Sequence, residues 1–124
     1  MRWTILSSIF LLLFLVGYSV TADATVLRIV VVQTDNPDLY VQELEKGKAL
    51  LKKAGSPAII RVWRARFAGD NVGTVVASAE FPDLAALAED DAKMANNAEL
   101  RDWLKGLDKI RKIISDSIYT ELKP

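Results

Sequence analysis

The segment Val26–Thr34 constrains the fold most, because it is apolar and largely β-branched at nearly every position. A strand that faces solvent on one side alternates apolar and polar residues, whereas a continuous apolar run is typical of a strand covered on both faces. The sequence therefore predicts a central strand here. The rest of the chain must supply strands for both of its edges and elements to cover its faces.

The residues that follow predict a helix. Asn36 is a good N-cap residue, and Pro37 suits the first helical position because its missing N–H would be unpaired there. Gly55 is placed to end the helix. The stripe expected to face inward recurs at helical spacing and comprises Tyr40, Leu44, Gly47, Leu51 and Ala54.

Beyond Pro57 apolar residues recur at every second position, the spacing of a strand, and no longer at about every 3.6 residues, the spacing of a helix. Segments Ala58–Phe67 and Gly73–Phe81 predict two strands, and the glycine-containing turn between them favours an antiparallel hairpin. A second helix is predicted from Leu84 to about Ala95, with Leu84, Leu87, Asp91 and Met94 along one side.

Asn96-Asn97 interrupts this helix, and Asn97 can cap a second piece that runs from Ala98 to about Lys109. Its apolar stripe comprises Leu100, Trp103, Leu104 and Leu107. The alternating segment Lys112–Leu122 predicts a last strand.

The order β-α-β-β-α-β, with the second helix broken, is that of an α+β, ferredoxin-like antiparallel sheet with its helices on one face. We predict one such domain over residues 25–124. Helices cover only one side of the sheet, so the apolar strands leave a second face of the kind that marks an interface. The predicted partner is a second copy of the chain, in a homodimer.

Residues 1–24 have the pattern of a signal peptide: a basic start, an apolar run and a small-x-small site formed by Ala22 and Ala24. Cleavage after Ala24 would start the mature protein at Thr25 and make it periplasmic or secreted. An uncleaved membrane anchor is the alternative, since Trp3–Val20 is 18 residues long and about 17–25 are needed to span a bilayer.

The sequence contains no cysteine and no histidine. A disulfide, a thiolate nucleophile, an imidazole base and a zinc site of the usual ligands are therefore excluded. We predict no metal and no cofactor. The 16 basic and 16 acidic side chains give a formal charge of zero, which argues against a nucleic-acid partner because such proteins concentrate positive charge.

The segments Ile60–Gly69, Gly73–Val76 and Glu80–Leu84 resemble small bacterial proteins of the dimeric α/β-barrel superfamily. The resemblance extends from Val26 to Leu122. It implies that two sheets pair so that their uncovered faces enclose a barrel with a cavity. Members include antibiotic-biosynthesis-type monooxygenases that use no cofactor, muconolactone isomerase-like proteins and haem-degrading enzymes. This chain lacks the histidine that haem-binding members use.

Arg61 and Trp63 share one face of a predicted strand, while Arg64 and Arg66 share the other. The indole of Trp63 would form an apolar wall of a ligand site, and the guanidinium of Arg61 would bind an anionic or carbonyl oxygen. The alternative is an edge strand whose arginines discourage aggregation and whose Trp63 packs in the dimer interface.

Tyr119 shares a face of the last strand with Ser115 and Ser117, and these hydroxyls are the best hydrogen-bonding cluster in a chain without imidazole. They are candidate ligand contacts, or side chains that satisfy each other or face solvent. Arg28 interrupts an apolar strand, as Glu80 does, and the two are expected to form a salt bridge inside the barrel. Arg28 is also a candidate ligand contact.

The run Glu89-Asp90-Asp91 is interpreted as a solvated helix face, because three consecutive helical side chains point in different directions. We expect an exported dimer that binds a small, partly apolar molecule in its barrel, with unassigned catalytic residues. One alternative is a cofactor-independent monooxygenase-like enzyme for a small aromatic or quinol substrate. The other is a structural dimer of the cell envelope with a filled barrel.

Overall fold

The computed structural model describes residues 24–66 and 69–124. The predicted signal peptide, including Ala22, lies outside the described residues except for its last residue, Ala24. No helix in the described ranges is both long and apolar enough to cross a membrane. The chain order is β1 (Val26–Gln33), α1 (Pro37–Lys53), β2 (Ile59–Arg64), β3 (Val75–Phe81), α2 (Leu84–Ala95), α3 (Ala98–Leu107) and β4 (Lys112–Thr120), with a short 3₁₀ turn at Gly69–Asn71.

The four strands form one antiparallel sheet in the order β2-β3-β1-β4. The apolar strand β1 therefore lies between two neighbours, as its sequence predicts. The register between β1 and β4 shifts once, at Val31/Val32. The sheet is open, and both helical segments pack against one face.

The first helix begins and ends where its local signals predict. The side chain of Asn36 accepts a hydrogen bond from the Leu39 amide at 3.1 Å, and Pro37 is the first helical residue. Gly55 follows the helix with φ +81°, a conformation that glycine adopts without a Cβ penalty. Tyr40, Leu44 and Gly47 of the predicted stripe are buried.

The break between α2 and α3 is also confirmed, and each piece has its own cap. Asp83 accepts from the Ala86 amide at 2.7 Å, and Asn97 accepts from the Leu100 amide at 3.1 Å. The predicted inward stripe of α2 was correct at Leu87 but wrong at Leu84 and Asp91, which are exposed. Leu84 is 56% exposed, whereas Leu87 and Asp90 are the buried residues of this helix. The cap at Asp83 places Leu84 in the first turn, where it faces solvent.

The core lies on the helix-covered face and consists of two clusters. One contains Val32, Tyr40, Leu44, Val75 and Leu107, and the other contains Val26, Phe81 and Leu87. The same strands join the two clusters. Between them the sheet presents Arg28 and Val30 on β1 and the small side chains Ala77 and Ala79 on β3.

Candidate functional site

A cleft opens between the two core clusters, where the helices stand over small side chains of the sheet. It comprises two adjoining cavities of about 360 and 310 Å³. The residues that line both cavities are Arg28, Leu51, Ile60, Ala79, Trp103 and Leu104. We refer to these two cavities together as the helix–sheet cleft. Its walls are mainly apolar, with charged side chains from the strands and from the helices among them.

The position of Trp103 depends on Gly47. The indole of Trp103 packs against the bare backbone of Gly47, where an added Cβ would lie 2.8 Å from Cε2 and closer still to the outer ring atoms. The indole Nε1 donates a hydrogen bond to the Glu43 carbonyl oxygen at 3.1 Å. Trp103 is thereby fixed to α1 and forms a flat wall of the cleft.

Arg28 is the central cation of the cleft, and it is fully engaged by carboxylates. It donates to both oxygens of Asp116, from Nε at 3.0 Å and from Nη2 at 2.8 Å, and its Nη1 lies 3.3 Å from Asp91 Oδ1. The hydrogen bond to Asp116 raises the pKa of Arg28. The predicted salt bridge between Arg28 and Glu80 was wrong, because adjacent strand positions point to opposite faces and Glu80 lies on the helix-free face.

The same hydrogen bond lowers the pKa of Asp116, with a smaller contribution from the nearby charges of Arg28 and Arg111. A lowered folded-state pKa stabilises the protein above the ordinary value of 3.8, and this stability is lost as the pH falls through the folded-state pKa. We expect Asp116→Asn to lower the free energy of unfolding at pH 7 by about 0.5–1 kcal/mol, because the side chain is 38% exposed.

Urea unfolding of the wild type and of Asp116→Asn, from pH 7 to pH 2.5, measures the difference between their free energies of unfolding. The difference in the free energy of unfolding should begin to narrow below about pH 4, where Asp116 of the unfolded wild type binds a proton, and should narrow further as the pH approaches the lowered pKa of the folded state. A difference that stays constant over this range would contradict the assignment. Lys46→Met, which removes an exposed i,i+3 pair with Glu43 on α1, is the control for loss of a surface pair.

Arg111 closes one end of the cleft. Its side chain is largely buried, donates to Asp108 Oδ1 at 3.0 and 3.1 Å, and lies 3.3 Å from the Tyr40 hydroxyl. The guanidinium of the residue just before β4 is therefore held between α1 and the end of α3. Like Arg28, Arg111 is occupied by protein partners.

The interpretation of residues 89–91 as a solvated face was wrong for Asp90, which is buried against the second cavity. Glu89 and Asp91 are exposed, although Asp91 also pairs with Arg28. Because Leu87 faces the sheet, the residue one helical turn later, Asp90, also faces inward. Among the described residues there is no group of three or more His, Cys, Asp or Glu side chains that could hold a metal ion.

The other four predicted site residues lie on the opposite, helix-free face of the sheet. Arg61 and Trp63 are on β2, and Ser117 and Tyr119 are on β4. Trp63 is 53% and Tyr119 59% exposed, and Trp63 Nε1 donates to Ser78 Oγ at 2.9 Å. Because β2 and β4 are the two edge strands, the pairs are separated by three strand spacings, about 14 Å.

The structure thus brings Arg61 close to Trp63 and Ser117 close to Tyr119, but it does not bring the two pairs together within one chain. Arg28 is separated from all four by the sheet itself. Of the five sequence-predicted site residues, Arg28 alone lines the helix–sheet cleft. The cleft residues Asp90, Trp103, Arg111 and Asp116 were not predicted as site residues.

An open four-stranded antiparallel sheet with this chain order and both helical segments on one face defines the ferredoxin-like α+β fold. No protein-family model matches the chain, and no curated protein matches it in sequence. Similarity to solved structures, however, covers most of the chain.

SnoaB, a cofactor-independent oxygenase from Streptomyces nogalater, superposes with a TM-score of 0.61 at 13% identity, covering 83% of this chain and 97% of that chain. A NIPSNAP family protein of unknown function from Agrobacterium tumefaciens also gives 0.61 at 13% identity, covering 81% and 90%. A dimeric ferredoxin-like protein from an uncultured marine organism gives 0.59 at 15% identity, covering 82% and 99%. These likenesses confirm the predicted ferredoxin-like fold.

Proposed function

We propose that this protein is a homodimeric binding protein that holds a small, partly apolar molecule in the helix–sheet cleft. The observation that carries the proposal is the pair of adjoining cavities between Trp103 and the small side chains of β3. Cavities of about 300–1,000 Å³ with mostly apolar walls and a few fixed polar groups are typical of ligand sites. Because Arg28 is paired with Asp91 and Asp116, we infer that its guanidinium forms part of the wall and does not bind an anionic ligand.

Binding of 2-phenylethanol, a neutral probe with an aromatic ring, tests this proposal. We expect it to shift the backbone amide resonances of Ala77, Ala79 and Leu104 in ¹H–¹⁵N spectra. Ala79→Leu fills the space shared by both cavities and should abolish these shifts. Ala49→Leu places the same side chain on the exposed face of α1 and should leave binding unchanged. Equal binding by both variants would contradict the cleft as the site.

The helix-free face of the sheet supports the dimer. Large apolar side chains on this face are exposed in the single chain, among them Ile59, Trp63 and Tyr119. Large exposed apolar side chains that share one face of a sheet are typical of an interface. One similar structure is a dimeric ferredoxin-like protein. Pairing two such faces would enclose the predicted barrel, with Arg61, Trp63, Ser117 and Tyr119 of each chain at its walls.

A cofactor-independent oxygenase is the second candidate, and the likeness to SnoaB favours it. Oxygen consumption with a panel of phenols and hydroquinones distinguishes it from a binding protein. Turnover by the wild type that Ala79→Leu abolishes and Ala49→Leu retains would assign the reaction to the cleft. A dimer whose cleft and barrel admit no probe would instead support the structural role in the cell envelope.

We further propose that the protein is exported and that the mature chain begins at Thr25. The sheet supports this boundary, since β1 starts at Val26 and the Thr25 carbonyl oxygen accepts from the Glu121 amide at 2.8 Å. Amino-terminal sequencing of protein recovered from a bacterial host expressing the full chain should therefore start at Thr25. A protein that retains Met1 in the membrane fraction would show an uncleaved anchor.

A further inference from the structure

Asp90 is the one acidic residue of α2 that is buried, and it lies at the wall of the second cavity. It is 6% exposed. No hydrogen bond or ion pair from any described residue reaches its carboxylate. No fully enclosed side-chain oxygen or nitrogen in the described part of the chain lacks a partner, so the unpartnered Asp90 oxygens keep some accessible surface, and Asp90 is a lining residue of the second cavity.

The other charges at this wall leave Asp90 uncompensated. Arg28 lines the same cavity, but its charge is already shared between Asp116 and Asp91. Arg101 also lines the cavity, but it is exposed on α3 and makes no ion pair with Asp90. Burying an unpaired carboxylate is unfavourable, and such a group at the wall of a cavity is a candidate for contact with a ligand.

We propose that the cleft selects molecules that carry a protonated amine, with Asp90 as the carboxylate that receives the ammonium group and Trp103 as the wall for the apolar body. This inference rests on the proposed function of the cleft and adds the chemical class of its ligand. The ammonium donates to the Asp90 oxygens, and the flanking Asp91 and Asp116 add negative potential. Asp90, Asp91 and Asp116 together outnumber Arg28 and Arg101, so this wall has one net negative charge, which disfavours an anionic ligand.

Three probes of matched size test the inference: 2-phenylethylamine as its ammonium ion, 2-phenylethanol and phenylacetate. Their dissociation constants at pH 7 are measured by NMR titration on protein purified from cells that express the full chain. We expect the ammonium ion to bind at least tenfold more tightly than the alcohol, and phenylacetate to bind more weakly than both. Equal affinity for the ammonium ion and the alcohol would overturn the inference while leaving the proposed function intact. Failure of all three probes to bind would overturn both.

The variant Asp90→Asn keeps the shape of the side chain and removes its charge. It should reduce the preference for the ammonium ion to less than threefold without changing affinity for the alcohol. Glu89→Gln removes one charge from the adjacent exposed position of the same helix and should retain the full preference. If both variants lose the preference for the ammonium ion, the preference comes from the overall negative electrostatic potential of α2. That result would contradict a direct role for Asp90.

Thermal unfolding separates a ligand-binding role from a structural one. Because the carboxylate is unpaired in the free protein, Asp90→Asn should raise the melting temperature or leave it unchanged. A substantial fall in melting temperature, together with an unchanged ligand preference, would show that Asp90 stabilises the fold through contacts of its own and would overturn the proposal.

Discussion

Replacing Gly47 by alanine is expected to destabilise the protein by about 2–3 kcal/mol, although alanine is the better helix former. The added methyl group would overlap the indole of Trp103, which is held to α1 by its hydrogen bond to Glu43. The ring must move, and movement breaks this bond and opens the packing between α1 and α3. Chemical denaturation at pH 7 measures the change.

A double-mutant cycle shows whether the clash is the cause. In a Trp103→Ala background the ring is gone, so Gly47→Ala should stabilise the protein by about 0.5–1 kcal/mol, the ordinary helix-propensity gain. Trp103→Ala alone should cost about 2–4 kcal/mol. If Gly47→Ala costs the same in both backgrounds, the contact with Trp103 does not explain the glycine.

Trp63→Ala is expected to weaken the proposed dimer by roughly 30- to 1,000-fold in dissociation constant, as for a central aromatic residue of an interface. The side chain projects from the helix-free face and its loss removes no buried core contact within the chain. Sedimentation velocity across a concentration series measures the effect, and circular dichroism checks the fold.

Leu84→Ala is the matched control, because Leu84 is equally exposed but lies at the start of α2, away from this face. It should leave the dissociation constant unchanged. If Trp63→Ala instead leaves the dimer intact and abolishes ligand binding, Trp63 lines a ligand site in the barrel, as predicted from the sequence for the indole of Trp63. The helix–sheet cleft would then not be the binding site.

Local signals explain the features that the sequence predicts correctly. The central position of β1 follows from its continuous apolar run, and the helix starts follow from the caps Asn36, Asp83 and Asn97. Each of these signals lies within one short segment of the chain. The same type of signal failed for α2, because Leu84 and Leu87 are both apolar and the period alone could not show which of them faces the sheet.

The cleft depends on contacts between distant segments, which one sequence does not show. Arg28 meets Asp116 only because β1 and β4 are neighbours, and Trp103 reaches Gly47 only because α3 packs on α1. One signal was available. A glycine within the inward stripe of an otherwise well-formed helix often marks a close approach by another group, and Gly47 is such a position.

The alternation of side chains along the strands has a consequence for how this protein can diversify. Neighbouring residues such as Arg28 and Ile29, or Ser78 and Ala79, face different surfaces of the same sheet. Substitutions that reshape the cleft and substitutions that alter self-association therefore fall on two separate sets of positions, which alternate along each strand. In a dimer formed through the helix-free faces, the two clefts would open on opposite outer sides. A substitution at a cleft position could then change the proposed ligand selectivity without changing a residue of the proposed dimer interface.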